Sequence, residues 1–167
     1  MTLPIRMVLP IEPKAKGRGR IIKRGKFASI KTPDETVVYE TSLAQLAQQY
    51  MPPEPIEGLL AVSALFVFAR PKYMQFRYKR TGEYKYGKGL LPHGAKPDVD
   101  NCVKALLDAL KRWIPQDERV VEVTACKAYA EIGGMSRVVV RVDEWNWGSA
   151  GLRAFESGLK LADEVPW

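Results

Sequence analysis

Only two cysteines, Cys102 and Cys126, and one histidine, His93, occur in the 167 residues. Neither cysteine has a second Cys or a His at zinc-ligand spacing, so zinc sites and disulfide frameworks drop out as organising devices. Both thiols are expected to be reduced, half-buried core residues. Long apolar runs are missing too: none approaches the ~20 residues a spanning helix requires, and no signal-like apolar segment opens the chain. A cytoplasmic protein with no membrane partner is expected. Acids are in deficit, 19 against 26 Lys and Arg, and the resulting +7 is gathered into two stretches rather than spread evenly. That distribution points to a polyanionic partner.

What is present suits one ordinary domain, since 46% hydrophobic composition over this length is enough for a core. Leu3 to Pro10 reads as a first strand. Residues 14 to 31 carry Lys14, Lys16, Arg18, Arg20, Lys23, Arg24, Lys26 and Lys31 among three glycines, the pattern of a mobile arm or short hairpin. Thr32-Pro33-Asp34-Glu35 has the form of a capping box. The spacing of Tyr39, Leu43, Leu46, Ala47 and Tyr50 then predicts a helix ending before Pro52-Pro53. Leu59 to Phe68 is almost continuously apolar, as a central strand covered on both faces should be.

The second basic stretch, residues 72 to 96, has no regular period. It holds Lys72, Arg77, Lys79, Arg80, Lys85, Lys88 and Lys96 interleaved with Tyr73, Phe76, Tyr78, Tyr84 and Tyr86. Cations among aromatics grip phosphates and stack on bases, and the plainer reading, a polar β-hairpin, is compatible with that. Val103, Leu106, Leu107, Leu110, Trp113 and Ile114 recur at i, i+3, i+4, i+7 and mark a second helix stopped by Pro115. Val120 to Tyr129 and Ser136 to Val142 are expected as an antiparallel hairpin turning at Gly133-Gly134. The expected fold is α+β, a single domain over 1–143 with a mixed sheet of about four core strands and two helices (β-α-β-α-β-β). Residues 144–167 would form a tail or extension, with Trp145, Trp147, Trp167 and a weak amphipathic stretch at Leu152, Phe155 and Leu159.

Chemistry concentrates in Lys96-Pro97-Asp98-Val99-Asp100-Asn101, at the start of the second helix. In extended geometry residues two apart point the same way, so Asp98 and Asp100 can converge on one hard cation such as Mg²⁺. Lys104, one turn on, can stabilise phosphoryl transition-state charge. Asp117, after the helix, is placed as a third carboxylate. Each has a plainer reading: Asp and Asn are common helix caps, Asp100 with Lys104 is an ordinary i, i+4 pair, and Asp117 suits a turn. On that reading the chain is a non-catalytic nucleic-acid-binding module. Against it, three acids beside a phosphate path would repel DNA unless a cation were present.

The run KPDVDNCVKALLDAL over 96–110, followed by QDERVVEV, resembles the signature of RusA-type Holliday junction resolvases. The similarity extends over roughly residues 3 to 143, and the block 96–122 is its specific part. The resemblance implies a homodimeric, Mg²⁺-dependent endodeoxyribonuclease that cuts four-way DNA junctions with paired, symmetric nicks. It places the catalytic and metal-binding carboxylates on Asp98, Asp100 and Asp117 and the catalytic lysine on Lys104. Asn101 and Asp108 match the motif and are assigned to capping and helix orientation. The acidic turn departs from the family's pattern, with Gln116-Asp117-Glu118 where paired acids are usual, so Glu118 is the rival third ligand. His93 is left outside the catalytic set.

Overall fold

The computed structural model describes residues 3–24 and 27–145. Lys26 and the extension from residue 146, including Trp147, Leu152, Phe155, Leu159 and Trp167, lie outside the described residues. The elements in chain order are β1 (Ile5–Leu9), β2 (Arg20–Arg24), β3 (Phe27–Lys31), α1 (Asp34–Ala47), β4 (Leu60–Phe68), β5 (Leu91–Pro92), α2 (Val99–Leu110), β6 (Val120–Tyr129) and β7 (Arg137–Glu144). Short 3₁₀ turns occupy Lys72–Gln75 and Asp117–Arg119. The fold is α+β, with two helices and a mixed five-stranded sheet in the order β1-β7-β4-β6-β5. The basic arm contributes a separate antiparallel pair, β2 with β3.

β4 takes the centre because its sequence LAVSALFVF is apolar on both faces and eight of its nine residues are buried. Its backbone groups need a partner on each side, and it pairs parallel with β6 and antiparallel with β7. The expected β6–β7 hairpin is therefore overturned: the two strands are not neighbours, and β4 lies between them. Residues 130–136 have only to step across one strand, about 10 Å at the usual spacing. A Gly pair between two β-prone runs shows that a turn exists but not which strand fills the gap.

A parallel pair requires a crossover, and α2 is that crossover between β4 and β6. The start of α2 lies beside the carboxyl half of β6, where the Lys127 Nζ donates to the Pro97 carbonyl at 2.5 Å. The far end lies beside the entry to β4, where Ile56 N–H donates to the Trp113 carbonyl at 2.8 Å. Cys102, Ala105, Leu106, Ala109 and Leu110 of α2 and Tyr39, Leu43 and Ala47 of α1 are buried in one core against β1, β4 and β7. Truncating a residue such as Leu106 to Ala in so closed a setting costs about 2–5 kcal/mol, so both ends of α2 are held by packing.

Two local expectations are corrected. The capping box at α1 does not form: Pro33 is the N-cap with no side-chain cap bond, and its carbonyl accepts from Thr36 and Val37 N–H. The Thr36 hydroxyl instead accepts from Gly17 N–H at 3.0 Å, tying the arm to the helix. Cys102 is buried as expected, but Cys126 is exposed. In register with Leu65 rather than with the core-facing Phe66, it sits on the sheet face away from the helices.

Candidate functional site

Asp98 and Asp100 sit at the amino end of α2. Asp98 occupies the N-cap position in extended geometry (φ −71°, ψ 142°) and makes no side-chain cap bond. Its carboxylate is exposed rather than used on the helix's own N–H groups. Asp100 is already in the first helical turn, so strand alternation does not relate the two acids. Lys104 Nζ donates to Asp100 Oδ2 at 2.9 Å, with both side chains about 60% exposed (59% and 61%). This hydrogen bond holds the Asp100 carboxyl below the ordinary carboxylate range, so the group stays ionised at neutral and mildly acidic pH. The positive end of the α2 dipole acts in the same direction.

At the other end of α2 the acids are differently employed. Asp108 is largely buried and accepts from Lys16 Nζ and from Lys111 Nζ, the latter at 3.0 Å. Burial alone would raise its pKa, but the two lysines outweigh it and the group is held below its usual value. Lys111 also approaches Asp117 Oδ2 at 3.9 Å. Its own pKa is raised, first by the Asp108 hydrogen bond. Asp117 and Glu118 are exposed in the 3₁₀ turn that leads into β6. Thus Asp98, Asp100 and Lys104 come together at one end, and Asp117 joins Lys111 and Asp108 at the other. Among the described residues no three His, Cys, Asp or Glu side chains lie close enough together to hold a metal ion.

The second basic stretch leaves β4 on the same side as the amino end of α2. Its tip is a short hairpin: Tyr78 N–H donates to the Glu83 carbonyl at 2.9 Å and Lys85 N–H to the Phe76 carbonyl at 3.0 Å, around an Arg77 to Tyr84 bridge. Gly82 closes the tip at φ +73°, a backbone conformation that favours glycine over residues with a Cβ. Lys72, Arg77, Lys79, Arg80, Lys85, Lys88 and Lys96 are all exposed. So are Tyr73, Phe76, Tyr78 and Tyr86, which is unusual for large aromatics and gives the cations rings to work beside. Lys85 lies over the Tyr86 ring at 5.2 Å and Arg77 over Tyr84 at 5.8 Å.

Three side chains that the sequence pattern alone did not single out hold this region together. Arg70 is buried and donates to the carbonyls of Ala130, Gly87 and Gly89, closing the base of the basic loop. Lys16, in sequence only one charge among eight in the arm, is fastened along α2 through its ammonium on Asp108 and its N–H on the Asn101 carbonyl at 2.9 Å. Lys127 of β6 donates to the carbonyls of Ala95 and Pro97. The last was visible in principle, because a lysine between Ala125 and Tyr129 on the core-facing parity of a strand is out of pattern. His93 is buried between the rings of Phe68 at 4.2 Å and Tyr129 at 4.3 Å, and burial lowers its pKa. The stacked imidazole packs within the core beside β5 and β6.

The family model for endodeoxyribonuclease RusA matches residues 10–143. A Bacillus subtilis (strain 168) protein described as uncharacterized protein YqaN is 34% identical over 121 residues, covering 72% of this chain and 84% of its own length. A match over that span, on a chain whose carboxylates stand uncapped beside a basic, aromatic surface, shows that this protein belongs to the RusA endodeoxyribonuclease family, the Holliday junction resolvases, and is a hydrolase of DNA.

Proposed function

We propose that this endonuclease resolves four-way DNA junctions by paired, symmetric phosphodiester cleavage with Mg²⁺ as its cation. It would act as a homodimer in the cytoplasm of a bacterial or phage-infected cell, in recombination and repair or in phage replication. Residues 1–143 are the nuclease unit and 144–167 an extension. The observation that carries this reading is the exposed Asp98, Asp100 and Lys104 group, on the side of the sheet from which the basic loop emerges.

Asp98 and Asp100 suit a hard divalent ion. Both offer exposed carboxylate oxygens, and Asp98 spends neither of its oxygens on a cap bond. Mg²⁺ typically takes one or two carboxylates and leaves its other positions to water and phosphate oxygens. When bound, it supplies a nucleophilic water near neutral pH and stabilises charge on the leaving oxygen. Lys104 both keeps Asp100 ionised and places a cation where phosphate charge increases during attack. Lys72, Arg77, Lys79, Arg80, Lys85, Lys88 and Lys96 neutralise backbone phosphates, and the exposed Tyr and Phe rings support bases opened at the junction.

Twelve residues of α2 span about 18 Å at 1.5 Å per residue, so Asp117 stands a helix length away from Asp98 of the same chain. A homodimer resolves this separation. Asp117 of the partner subunit completes the set on Asp98 and Asp100, with Glu118 as the rival at that turn. An isologous dimer then carries two equivalent sites, as two symmetric cuts require. Incubating the protein with a labelled synthetic four-way junction tests the reading: paired nicks should appear with Mg²⁺ and vanish without it. A junction that is bound and shifted at every Mg²⁺ concentration but never nicked would overturn it.

A further inference from the structure

We infer that Lys127 is a positioning residue of the nuclease site, fixing the segment that delivers Asp98. The inference rests on the metal-site reading above.

Lys127 staples that segment to β6 at three points. Its carbonyl accepts from His93 N–H at 3.2 Å, and its ammonium donates to the Ala95 carbonyl at 2.6 Å and the Pro97 carbonyl at 2.5 Å. The Pro97 carbonyl belongs to the peptide unit leading directly into Asp98. Residues 93–97 lie between the two-residue strand β5 and α2, so little regular structure of their own holds them. The side chain is also out of pattern where it stands. Lys127 is in register with the fully buried Phe66, and its same-face neighbours Ala125 and Tyr129 pack on the main core. An apolar side chain at this position would pack on that core but would leave the Ala95 and Pro97 carbonyls without this donor.

Lys127 forms no ion pair among the described residues, so its charge is not cancelled by a neighbouring carboxylate. It lies close to the acids nonetheless. Its ammonium is bonded to the carbonyl one peptide ahead of Asp98, at the N-cap of α2. A misplacement of about 1 Å at a reacting centre can cost a hundredfold in rate, and a group that orients a metal ligand typically contributes tenfold to a hundredfold in metal affinity. Two carbonyls held by one ammonium are such a group for Asp98.

The test uses the full chain and Lys127→Met, Lys127→Gln and Lys127→Arg, with Asp98→Asn as control. Mn²⁺ binding is measured by spin resonance without DNA, and the Mg²⁺ dependence of single-turnover junction nicking is measured separately. Lys127→Met should raise the half-saturating metal concentration about tenfold or more in both assays, with added Mg²⁺ recovering part of the rate, while Lys127→Arg stays within about threefold of the parent. Junction affinity in metal-free buffer should stay close to the parent's. If Lys127→Met melts with the parent and binds Mn²⁺ equally well while Asp98→Asn does not, the inference fails and the metal site stands. Undiminished Mn²⁺ binding by Asp98→Asn overturns the metal site and the inference together. Should Lys127→Met fail to fold, Lys127→Gln, which retains donors for only part of the clamp, must bind Mn²⁺ more weakly than Lys127→Arg. Equal binding by those two overturns the inference.

Discussion

The two ends of α2 carry the same kinds of residue and use them in opposite ways. At the carboxyl end, Asp108 is sunk between Lys16 and Lys111, and Lys111 reaches on to Asp117. At the amino end, Asp98 is uncapped and Asp100 has one exposed lysine beside it. The first arrangement satisfies the Asp108 charge internally and fastens the arm to the helix, leaving Asp117 exposed. The second leaves charge open to solvent next to an exposed basic and aromatic surface. An Asp–Lys pair read from sequence is the same object in both places, and only its burial and number of partners separate a brace from a site.

The contrast is broken most severely at the amino end. Asp98→Asn or Asp100→Asn should lower junction nicking by roughly a thousandfold or more, the scale reached when a group stabilising transition-state charge is lost. Junction binding should stay the same or tighten, because a carboxylate that repels phosphate has gone. Near-normal nicking by both variants, in a single-turnover assay, would remove the site from this end. Lys104→Ala should lose turnover by about a hundredfold with affinity retained, since a cation acting on the transition state contributes little to ground-state binding.

The basic loop should show the reverse pattern. Changing Arg77, Lys79 and Arg80 together to Ala should weaken junction affinity and reduce the slope of log K against log salt by about 0.9 for each phosphate that is no longer neutralised. Nicking at saturating protein should fall much less. Equal losses of affinity and rate in this variant and in Lys104→Ala would mean that grip and chemistry are not separable.

The smallest effect belongs to the brace. Asp108→Asn should destabilise the fold by roughly 1 kcal/mol, because Lys16 and Lys111 are both partly exposed and solvent screens their pairs with Asp108. The sign with pH follows from the depressed pKa of Asp108: the stabilisation is present above the ordinary carboxylate value of about 3.9 and is lost as pH falls through the lower folded value. Chemical denaturation at pH 7 and again near pH 2.5 should show a smaller difference between parent and variant at the second.

Much of this was legible in the residues. The apolar stripe of Leu106 and Leu110 and the unbroken run of β4 located the crossover and the sheet centre, because burial periodicity is written into residue type. The D-x-D-N block was expected at the start of the second helix, and Asp98 and Asp100 stand there. Partner choice was not legible. β6 and β7 both alternate acceptably for pairing with each other, and only β4's need for two neighbours separates them. Thr32 looked like a cap, yet Pro33 stands at the N-cap and Thr36 binds the arm. The reach of α2 was also hidden: Asp117, after the helix and just before a strand, was expected to approach the same point as Asp98, whereas within one chain the helix lies between them.

Whether the two ends of α2 meet across a dimer is tested most directly by subunit mixing. Asp98→Asn and Asp117→Asn chains, each inactive alone, are denatured together, refolded and assayed on the junction. Mixed dimers would hold one site with both substitutions and one with none, so single-strand nicking should return. If each site draws all its acids from one chain, every site in the mixture carries a substitution, and continued inactivity despite mixed-dimer formation would contradict the account.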